Sequence, residues 1–202
     1  MNKELIKTIE SIASLSVNEE RKEVLFPLVA YIKEKQTKNE DININFICTH
    51  NSRRSHLGQI WMQTLASHFK INNLKTYSGG TEETALATPI VTTLEKQGFD
   101  INVIGNNENP VYGIKYDETS HPIIGFSKRY DNPFNPNTSF AAVMTCSQAD
   151  EGCPFVAGTE KRIAITYEDP KISDNTNLEA ETYLERSNQI ASEMYFILSQ
   201  LN

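Results

Sequence analysis

The feature that most constrains this chain is a polar loop between a strand and a helix. The run from Ile42 to Ile47 predicts a buried strand that stops at Cys48, and residues 57–62 begin an apolar-periodic helix. Cys48 and Arg54 therefore bracket a short loop at the carboxyl end of the strand. Such a loop can wrap a tetrahedral oxyanion, because its backbone N–H groups can point inward and the helix dipole adds positive potential. We name the segment from Cys48 to Arg54 the oxyanion loop.

The two ends of the oxyanion loop suit chemistry on a bound anion. The guanidinium of Arg54 can clamp two oxygens of the anion, and the same positive field favours the thiolate form of Cys48. A thiolate beneath a bound oxyanion is arranged for attack on phosphorus or on arsenic. Taken singly, Cys48 would fit a buried packing residue and Arg54 a solvated charge at a helix start. Their Cys-X5-Arg spacing, with Ser55 next, favours the functional interpretation.

The composition is that of one acidic domain. The chain has 202 residues and a net charge of −7, which fits a single domain over residues 1–202 and argues against non-specific binding of nucleic acid. No apolar segment is long enough to span a membrane, and the first residues lack the apolar core of a signal peptide. We therefore expect a cytoplasmic protein. An odd number of cysteines in a reducing compartment, three here, favours reactive thiols over a disulfide framework.

Hydrophobic periodicity predicts strands that alternate with helices. Residues 1–40 are predicted to form two helices, the second opened by a capping box at Ser16, and residues 101–139 to form a β-hairpin insertion. The hairpin strands are expected at 111–116 and 123–130. The other predicted elements are strands at 75–78, 140–145 and 162–167, and helices at 54–69, 88–97 and 178–200, the last with Leu178 and Leu184 toward the core. This alternation implies a parallel sheet with right-handed crossovers.

Three chemically useful residues follow predicted strands of that sheet. Cys48, Cys146 and Asp169 each come directly after a strand. In parallel sheets of this kind, the active crevice lies beyond the carboxyl ends of the strands. The fold is therefore expected to place all three residues on one rim, and this shared position points to a catalytic site more strongly than any one motif does.

A second pair of thiols lies in the segment Cys146-X6-Cys153-Pro154. The pair would fit half a zinc site or two unrelated thiols. Zinc pairs usually have shorter spacing and need two further ligands, which the nearby sequence does not supply, so no metal is predicted. A loop that carries two thiols near a thiolate nucleophile suggests a disulfide relay instead.

Two motifs resemble known families. Cys48-X5-Arg54-Ser55 after a first parallel strand resembles the low-molecular-weight tyrosine phosphatases and the thioredoxin-coupled arsenate reductases that share their fold. The segment from Cys146 to Pro154 resembles the redox loop of those reductases. The resemblance covers roughly residues 42–100 and 140–200. It implies an α/β three-layer sandwich with a central parallel four-stranded sheet, to which this chain adds the helical extension at 1–40 and the hairpin insertion at 101–139.

The resemblance also implies roles for individual residues. Asp169, followed by Pro170, would be the general acid, and Asn51 and Ser78 would support the loop. Some of the reductases bind potassium beside the loop through a helix carboxylate, but Gln59 stands there in this chain, which puts that potassium site in question. The residues implied to bind the oxyanion are Thr49, His50, Asn51, Ser52, Arg53, Arg54 and Ser55.

Two loop positions depart from the family pattern. His50 stands where the family usually has glycine, and Arg53 stands where it usually has cysteine. If that glycine serves a positive φ, His50 carries backbone strain. Both side chains either add cationic character near the anion or are merely exposed.

The resemblance predicts an arsenate reductase of the arsenic-resistance type. Cys48 would attack arsenate, a relay through Cys146 and Cys153 would release arsenite, and thioredoxin or a similar dithiol donor would reset the enzyme without another cofactor. One alternative is a tyrosine phosphatase or a small phosphomonoester hydrolase, which needs only Cys48, Arg54 and Asp169. A second alternative is a non-catalytic protein that senses oxyanions or redox state.

The relay also constrains the shape of the segment after Cys146. A helix that extended from Cys146 would separate its Cα atom from that of Cys153 by about 10 Å, because seven residues rise by roughly 1.5 Å each. A disulfide requires Cα atoms within about 7 Å. We therefore predict that residues 146–157 are ordered differently in the reduced and oxidised states, and that the change exposes the Cys146–Cys153 disulfide to its reductant.

Overall fold

The structure is a computed structural model that describes residues 1–152 and 155–201. Within these ranges the chain forms seven strands: β1 (Ile42–Cys48), β2 (Leu74–Gly80), β3 (Asp100–Gly105), β4 (Val111–Lys115), β5 (Ile123–Gly125), β6 (Phe140–Met144) and β7 (Thr159–Ala164). The helices are α1 (Lys3–Ala13), α2 (Glu19–Thr37), α3 (Arg54–His68), α4 (Thr88–Lys96), α5 (Ser147–Gly152) and α6 (Glu179–Ser199), with a 3-10 turn at Pro170–Ser173.

Four strands form a parallel sheet in the order β2–β1–β6–β7. Side chains alternate across β6, so that Ala141 and Val143 join the main core while Phe140, Ala142 and Met144 pack on the opposite face. Both faces of the central strands are therefore buried, as is typical of a parallel sheet covered by helices. The predicted α/β fold with a central parallel four-stranded sheet is confirmed.

The N-terminal helices are an integral part of the main core. Leu5, Ile9 and Ile12 of α1 are buried in it, together with one side of α2. The two helices were predicted, but the predicted cap of α2 was wrong. The side chain of Asn18 accepts a hydrogen bond from the Arg21 N–H at 2.8 Å, so Asn18 rather than Ser16 caps the helix, which begins at Glu19. No helix in the described ranges is both long and apolar enough to cross a membrane.

Residues 101–139 contain more than a hairpin. The predicted hairpin forms between β4 and β5, and β3 adds a third antiparallel strand that the sequence analysis missed. The second hairpin strand was predicted to continue to residue 130 but ends at Gly125. It ends there because the following backbone pairs with β2 instead: the Gly80 N–H donates to the Lys128 carbonyl at 2.8 Å, and the Tyr130 N–H donates to the Gly80 carbonyl at 2.9 Å. The insertion therefore reaches the rim of the parallel sheet.

Two further sequence predictions, the bounds of the last strand and the buried side of the closing helix, were partly wrong. The last strand was expected at 162–167 but spans Thr159–Ala164, so Asp169 does not follow it directly. In α6, Leu178 and Leu184 were placed toward the core but are 54% and 41% exposed. The helical shape considered for the segment after Cys146 is found over α5, which spans Ser147–Gly152. Cys153 and Pro154 lie outside the described residues, and a change of order on oxidation stays a prediction.

Candidate active site

The oxyanion loop lies at the carboxyl ends of the parallel strands. It leaves β1 at Cys48 and enters α3 at Arg54. The segment after β2 holds it from one side through backbone hydrogen bonds to the carbonyls of Cys48 (3.1 Å) and Thr49 (2.8 Å). Gly80 makes this contact possible, because a Cβ there would lie 2.6 Å from the Thr49 carbonyl oxygen. The sheet therefore fixes the loop at the position where the sequence placed it.

Asn51 carries the left-handed backbone conformation of the loop. Its φ is 44°, whereas His50 is not among the described residues with positive φ, so the strain considered for His50 does not arise. Asparagine tolerates this conformation better than most residues. His50 points toward solvent, with its Nε2 atom 3.5 Å from the carboxylate of Glu82.

A chain of hydrogen bonds runs from Asn51 to the thiol of Cys48. The Asn51 Nδ2 group donates to Ser55 Oγ at 2.8 Å, and Ser55 Oγ lies 3.1 Å from Cys48 Sγ. Since Ser55 Oγ already accepts from Asn51, its own hydroxyl hydrogen is available to the sulfur. All three side chains are buried. A buried thiolate at Cys48 would therefore have a positioned donor.

Arg54 brings Asp169 to the site. Its Nη1 group donates to the Tyr167 carbonyl at 3.0 Å, and its Nη2 group pairs with Asp169 Oδ2 at 2.5 Å. Asp169 Oδ1 also accepts from the Lys171 N–H, which caps the 3-10 turn. The Nε atom of Arg54 is buried and has no hydrogen-bond partner in the part of the chain that the structure describes. The guanidinium is thus held on two sides and keeps one donor for an anion.

Arg53 is engaged with the closing helix. Its Nε group donates to the Tyr183 hydroxyl at 2.6 Å, and its Nη2 group pairs with Asp174 at 2.8 Å. The same tyrosine donates to Asp174 Oδ1 at 2.6 Å, and burial raises the pKa of Tyr183. Arg53 was predicted to bind the oxyanion, but in the structure its side chain ties the loop to α6 through Tyr183.

A second thiol lies beside the loop. Cys146 follows β6, whose end is joined to β1 by a 2.7 Å hydrogen bond from the Thr145 N–H to the Ile47 carbonyl. Its sulfur lies 3.5 Å from Thr49 Oγ1 and also accepts from the Ala149 N–H at 3.3 Å. Cys48 and Cys146 belong to one small apolar cluster, with exposures of 3% and 1%. The structure therefore brings these two predicted cysteines to the same rim.

Two residues near the site, Lys128 and His56, were not predicted from the sequence. Lys128 comes from the insertion, is fully buried, and places its Nζ atom 3.5 Å from Ser78 Oγ. His56 in the first turn of α3 contacts the same hydroxyl, with its Nδ1 atom 3.3 Å from Ser78 Oγ. No local pattern in the sequence indicated this cluster, because its members lie on three separate segments.

The residues around Ser78 do not fit a potassium ion. Gln59 donates to the Thr76 carbonyl at 3.3 Å and supplies no charge, and the ammonium of Lys128 already stands against the Ser78 hydroxyl. Among the described residues, no group of three or more His, Cys, Asp or Glu side chains is arranged to hold a metal. The neutral amide of Gln59 therefore supplies no carboxylate for the potassium ion that some of the resembling reductases bind.

The fold matches solved structures of small phosphatases. A low-molecular-weight phosphotyrosine phosphatase from Vibrio cholerae O395 has a TM-score of 0.53 and 13% identity, over 79% of this chain and 95% of that one. The low-molecular-weight protein tyrosine phosphatase of T. tengcongensis has a TM-score of 0.52 and 14% identity, over 80% and 100%. An arsenate reductase in the phosphate-binding state has a TM-score of 0.49 and 16% identity, over 80% and 99%.

The first two likenesses establish that this chain has the low-molecular-weight tyrosine phosphatase-like fold. At 13% and 14% identity they establish the fold alone. No protein-family model matches the chain, and no curated protein matches it.

Proposed function

We propose that this protein is an arsenate reductase that works by a thiol relay. The observation that carries the proposal is the position of two buried thiols on one rim: Cys48 and Cys146 share one apolar cluster, and Cys146 Sγ lies 3.5 Å from Oγ1 of Thr49, the residue after Cys48. A phosphatase needs only the first thiol. A reductase needs a second thiol close to the nucleophile, because the oxidising equivalents of arsenate must pass to a pair of sulfur atoms.

In the first step, the oxyanion loop binds arsenate, and the free Nε donor of Arg54 takes one of its oxygens. The thiolate of Cys48 attacks arsenic, which forms a sulfur–arsenic bond and breaks an arsenic–oxygen bond. The departing oxygen leaves as water when Asp169, held beside the anion by Arg54, supplies a proton.

In the second step, arsenic is reduced. The thiolate of Cys146 attacks Cys48 Sγ, and the electron pair of the sulfur–arsenic bond stays with arsenic, which leaves as arsenite. The two cysteines are oxidised together to a disulfide. Their common apolar cluster keeps water from the sulfur–arsenic intermediate.

In the third step, Cys153 attacks Cys146 Sγ and releases the Cys48 thiolate. Cys153 lies outside the described residues, but the α5 helix that leads to it ends one residue earlier, at Gly152. A continuous helix would hold the two sulfurs too far apart for a bond, so α5 has to unwind. Thioredoxin or a similar dithiol then reduces the Cys146–Cys153 disulfide.

A coupled assay tests the proposed function. With thioredoxin, thioredoxin reductase and NADPH, arsenate is expected to cause NADPH oxidation, and Cys48→Ser is expected to abolish it, since a hydroxyl at this position cannot join the relay. His121→Gln, which changes an exposed residue of the insertion, is the matched control and is expected to keep full turnover. Absence of arsenate-dependent oxidation with every dithiol donor tried would refute the proposal.

A phosphatase remains the second candidate, and one observation favours it. The three residues that a phosphatase needs are already connected within the described part of the chain. The loop joins Cys48 to Arg54, and Arg54 pairs with Asp169 at 2.5 Å, so Cys153 is not required. Hydrolysis of a phosphate ester at this site would proceed by attack of Cys48 on phosphorus and protonation of the leaving oxygen by Asp169. Both activities share the oxyanion loop, so a reductase of this design is expected to retain weak phosphatase activity.

A further inference from the structure

Lys128 carries an ammonium group into the protein interior. The side chain is 0% exposed, and its Nζ atom lies 3.5 Å from Ser78 Oγ and 3.4 Å from the Phe126 carbonyl. The rings of Phe126 and Phe134 flank it, with centroids 4.5 Å and 5.5 Å from Nζ. Two neutral oxygens and two aromatic faces thus surround a group that is normally charged and solvated.

No carboxylate neutralises Lys128 within the residues that the structure describes. None of the ion pairs formed there includes it. The titratable neighbour across the Ser78 hydroxyl is His56, which burial and the charge of Lys128 keep neutral by lowering its pKa well below 6.5. Burial lowers the pKa of Lys128 itself from 10.5 to about 7. An uncompensated buried cation is costly, so its presence calls for a functional explanation.

The backbone of Lys128 is part of the support of the oxyanion loop. Its N–H donates to Asn51 Oδ1 at 2.9 Å, and the same asparagine begins the hydrogen-bond chain to Ser55 and Cys48. Its carbonyl accepts from the Gly80 N–H, next to the point where Gly80 touches the loop. The backbone of Lys128 and the anion site are therefore connected through one buried asparagine, while the ammonium of the same residue lies against Ser78.

We propose that Lys128 is a positioning residue whose ammonium is a built-in cation behind the oxyanion loop. Its missing counter-charge is the oxyanion that the loop binds. The inference rests on the proposed function in one respect only: the loop must bind an oxyanion. A reductase and a phosphatase both meet this requirement.

The proposal couples anion binding to protonation of Lys128. An anion that raises the pKa of Lys128 by one unit binds the charged form about ten times more tightly than the neutral form. Because the free side chain titrates near pH 7, affinity is expected to fall as the pH rises from 6 to 9. Sulfate is the right probe, since it stays a dianion over this range, whereas phosphate and arsenate titrate within it.

The test compares sulfate affinity by calorimetry at pH 6 and pH 9 in a Cys48→Ser background, which removes the titration of the thiol. With Lys128 present, affinity is expected to fall roughly eightfold to tenfold between the two pH values. In Lys128→Met, sulfate binding at pH 6 is expected to be about ten times weaker and nearly independent of pH. Arg129→Met removes an exposed cation of the same segment and is expected to behave like the Lys128 protein.

Thermal stability gives an independent readout of the buried, uncompensated charge on which the proposal depends. Because burial lowers the pKa of Lys128 from 10.5 to about 7, its charge lowers the free energy of unfolding of the anion-free protein by a constant amount below pH 7. This loss of stability shrinks as the pH rises from 7 to 10.5, where the unfolded chain also loses the charge. Lys128→Met is therefore expected to raise the Tm at pH 6 by roughly 5–10 °C, and by less at pH 9. Equal sulfate affinity at pH 6 with and without Lys128, or a lower Tm in Lys128→Met, would overturn the proposal. Neither result depends on arsenate turnover.

Discussion

Replacement of Cys146 by serine is expected to abolish arsenate reduction and to spare phosphate-ester hydrolysis. The serine hydroxyl preserves the size of the side chain and the contact with Thr49, which is 3.5 Å from the native sulfur. Cys48, Arg54 and Asp169 are untouched, so attack on arsenic or phosphorus proceeds. The arsenic then stays bound to Cys48, because no neighbouring thiol can form the disulfide that releases it.

The measurement is a pair of rates on the same preparations. NADPH-coupled arsenate turnover is expected to fall by about three orders of magnitude or more, to the limit of detection, as for other losses of a covalent catalyst. Hydrolysis of p-nitrophenyl phosphate is expected to stay within about twofold of the native rate, as for a residue that makes no transition-state contact. Ser147→Ala, at the exposed neighbouring position in α5, is the control and should leave both rates unchanged. Equal retention of both activities in Cys146→Ser would exclude a relay through Cys146.

Arg54→Lys is expected to damage both activities. The guanidinium holds the Tyr167 carbonyl and Asp169 and still keeps a free Nε donor, and no single ammonium can reach all three positions. The lysine preserves the charge but loses the fork that orients the anion and the general acid together. Since removal of one positioned oxyanion donor alone costs about 10² to 10³ in rate, we expect kcat/KM to fall by about 10³ for arsenate and for a phosphate ester.

Arg53→Lys is the matched control for this prediction. Arg53 is the adjacent residue of the loop, but its guanidinium is bound to Tyr183 and Asp174 rather than left free for the anion. We expect a loss of stability and a loss of kcat/KM of no more than about tenfold, since no oxyanion donor is removed. Comparable losses in the two variants would mean that both arginines bind the anion, as the sequence resemblance implied.

The parts of the site that could be predicted from the sequence depend on local patterns. A buried strand, a polar loop and an apolar-periodic helix follow one another directly in the chain, and this order fixes where Cys48 and Arg54 lie. The parallel sheet then places Cys146 beside the loop, because strands with the same direction end on the same rim. Asp169 also reaches the rim, but through its ion pair with Arg54 and not through the end of β7.

The parts that the sequence did not reveal depend on contacts between distant segments. No sequence pattern distinguishes Lys128 from the other lysines. It is buried against Ser78 only because the insertion folds back along β2. Arg53 likewise looks like a loop cation until α6 supplies Tyr183 as its partner. β3 was missed because most of its residues are exposed, so its burial follows no alternating pattern.

The most direct test of the relay is the covalent state of Cys153→Ser after one equivalent of arsenate, without any reductant. Intact-mass analysis and peptide mapping are expected to find a Cys48–Cys146 disulfide, a loss of two hydrogen atoms, and one arsenite released per chain, because the relay stops before the last thiol can act. The Arg54→Lys protein, treated in the same way, is the control and should react far more slowly. Recovery of Cys48 and Cys146 as free thiols, with arsenate unchanged, would contradict the account.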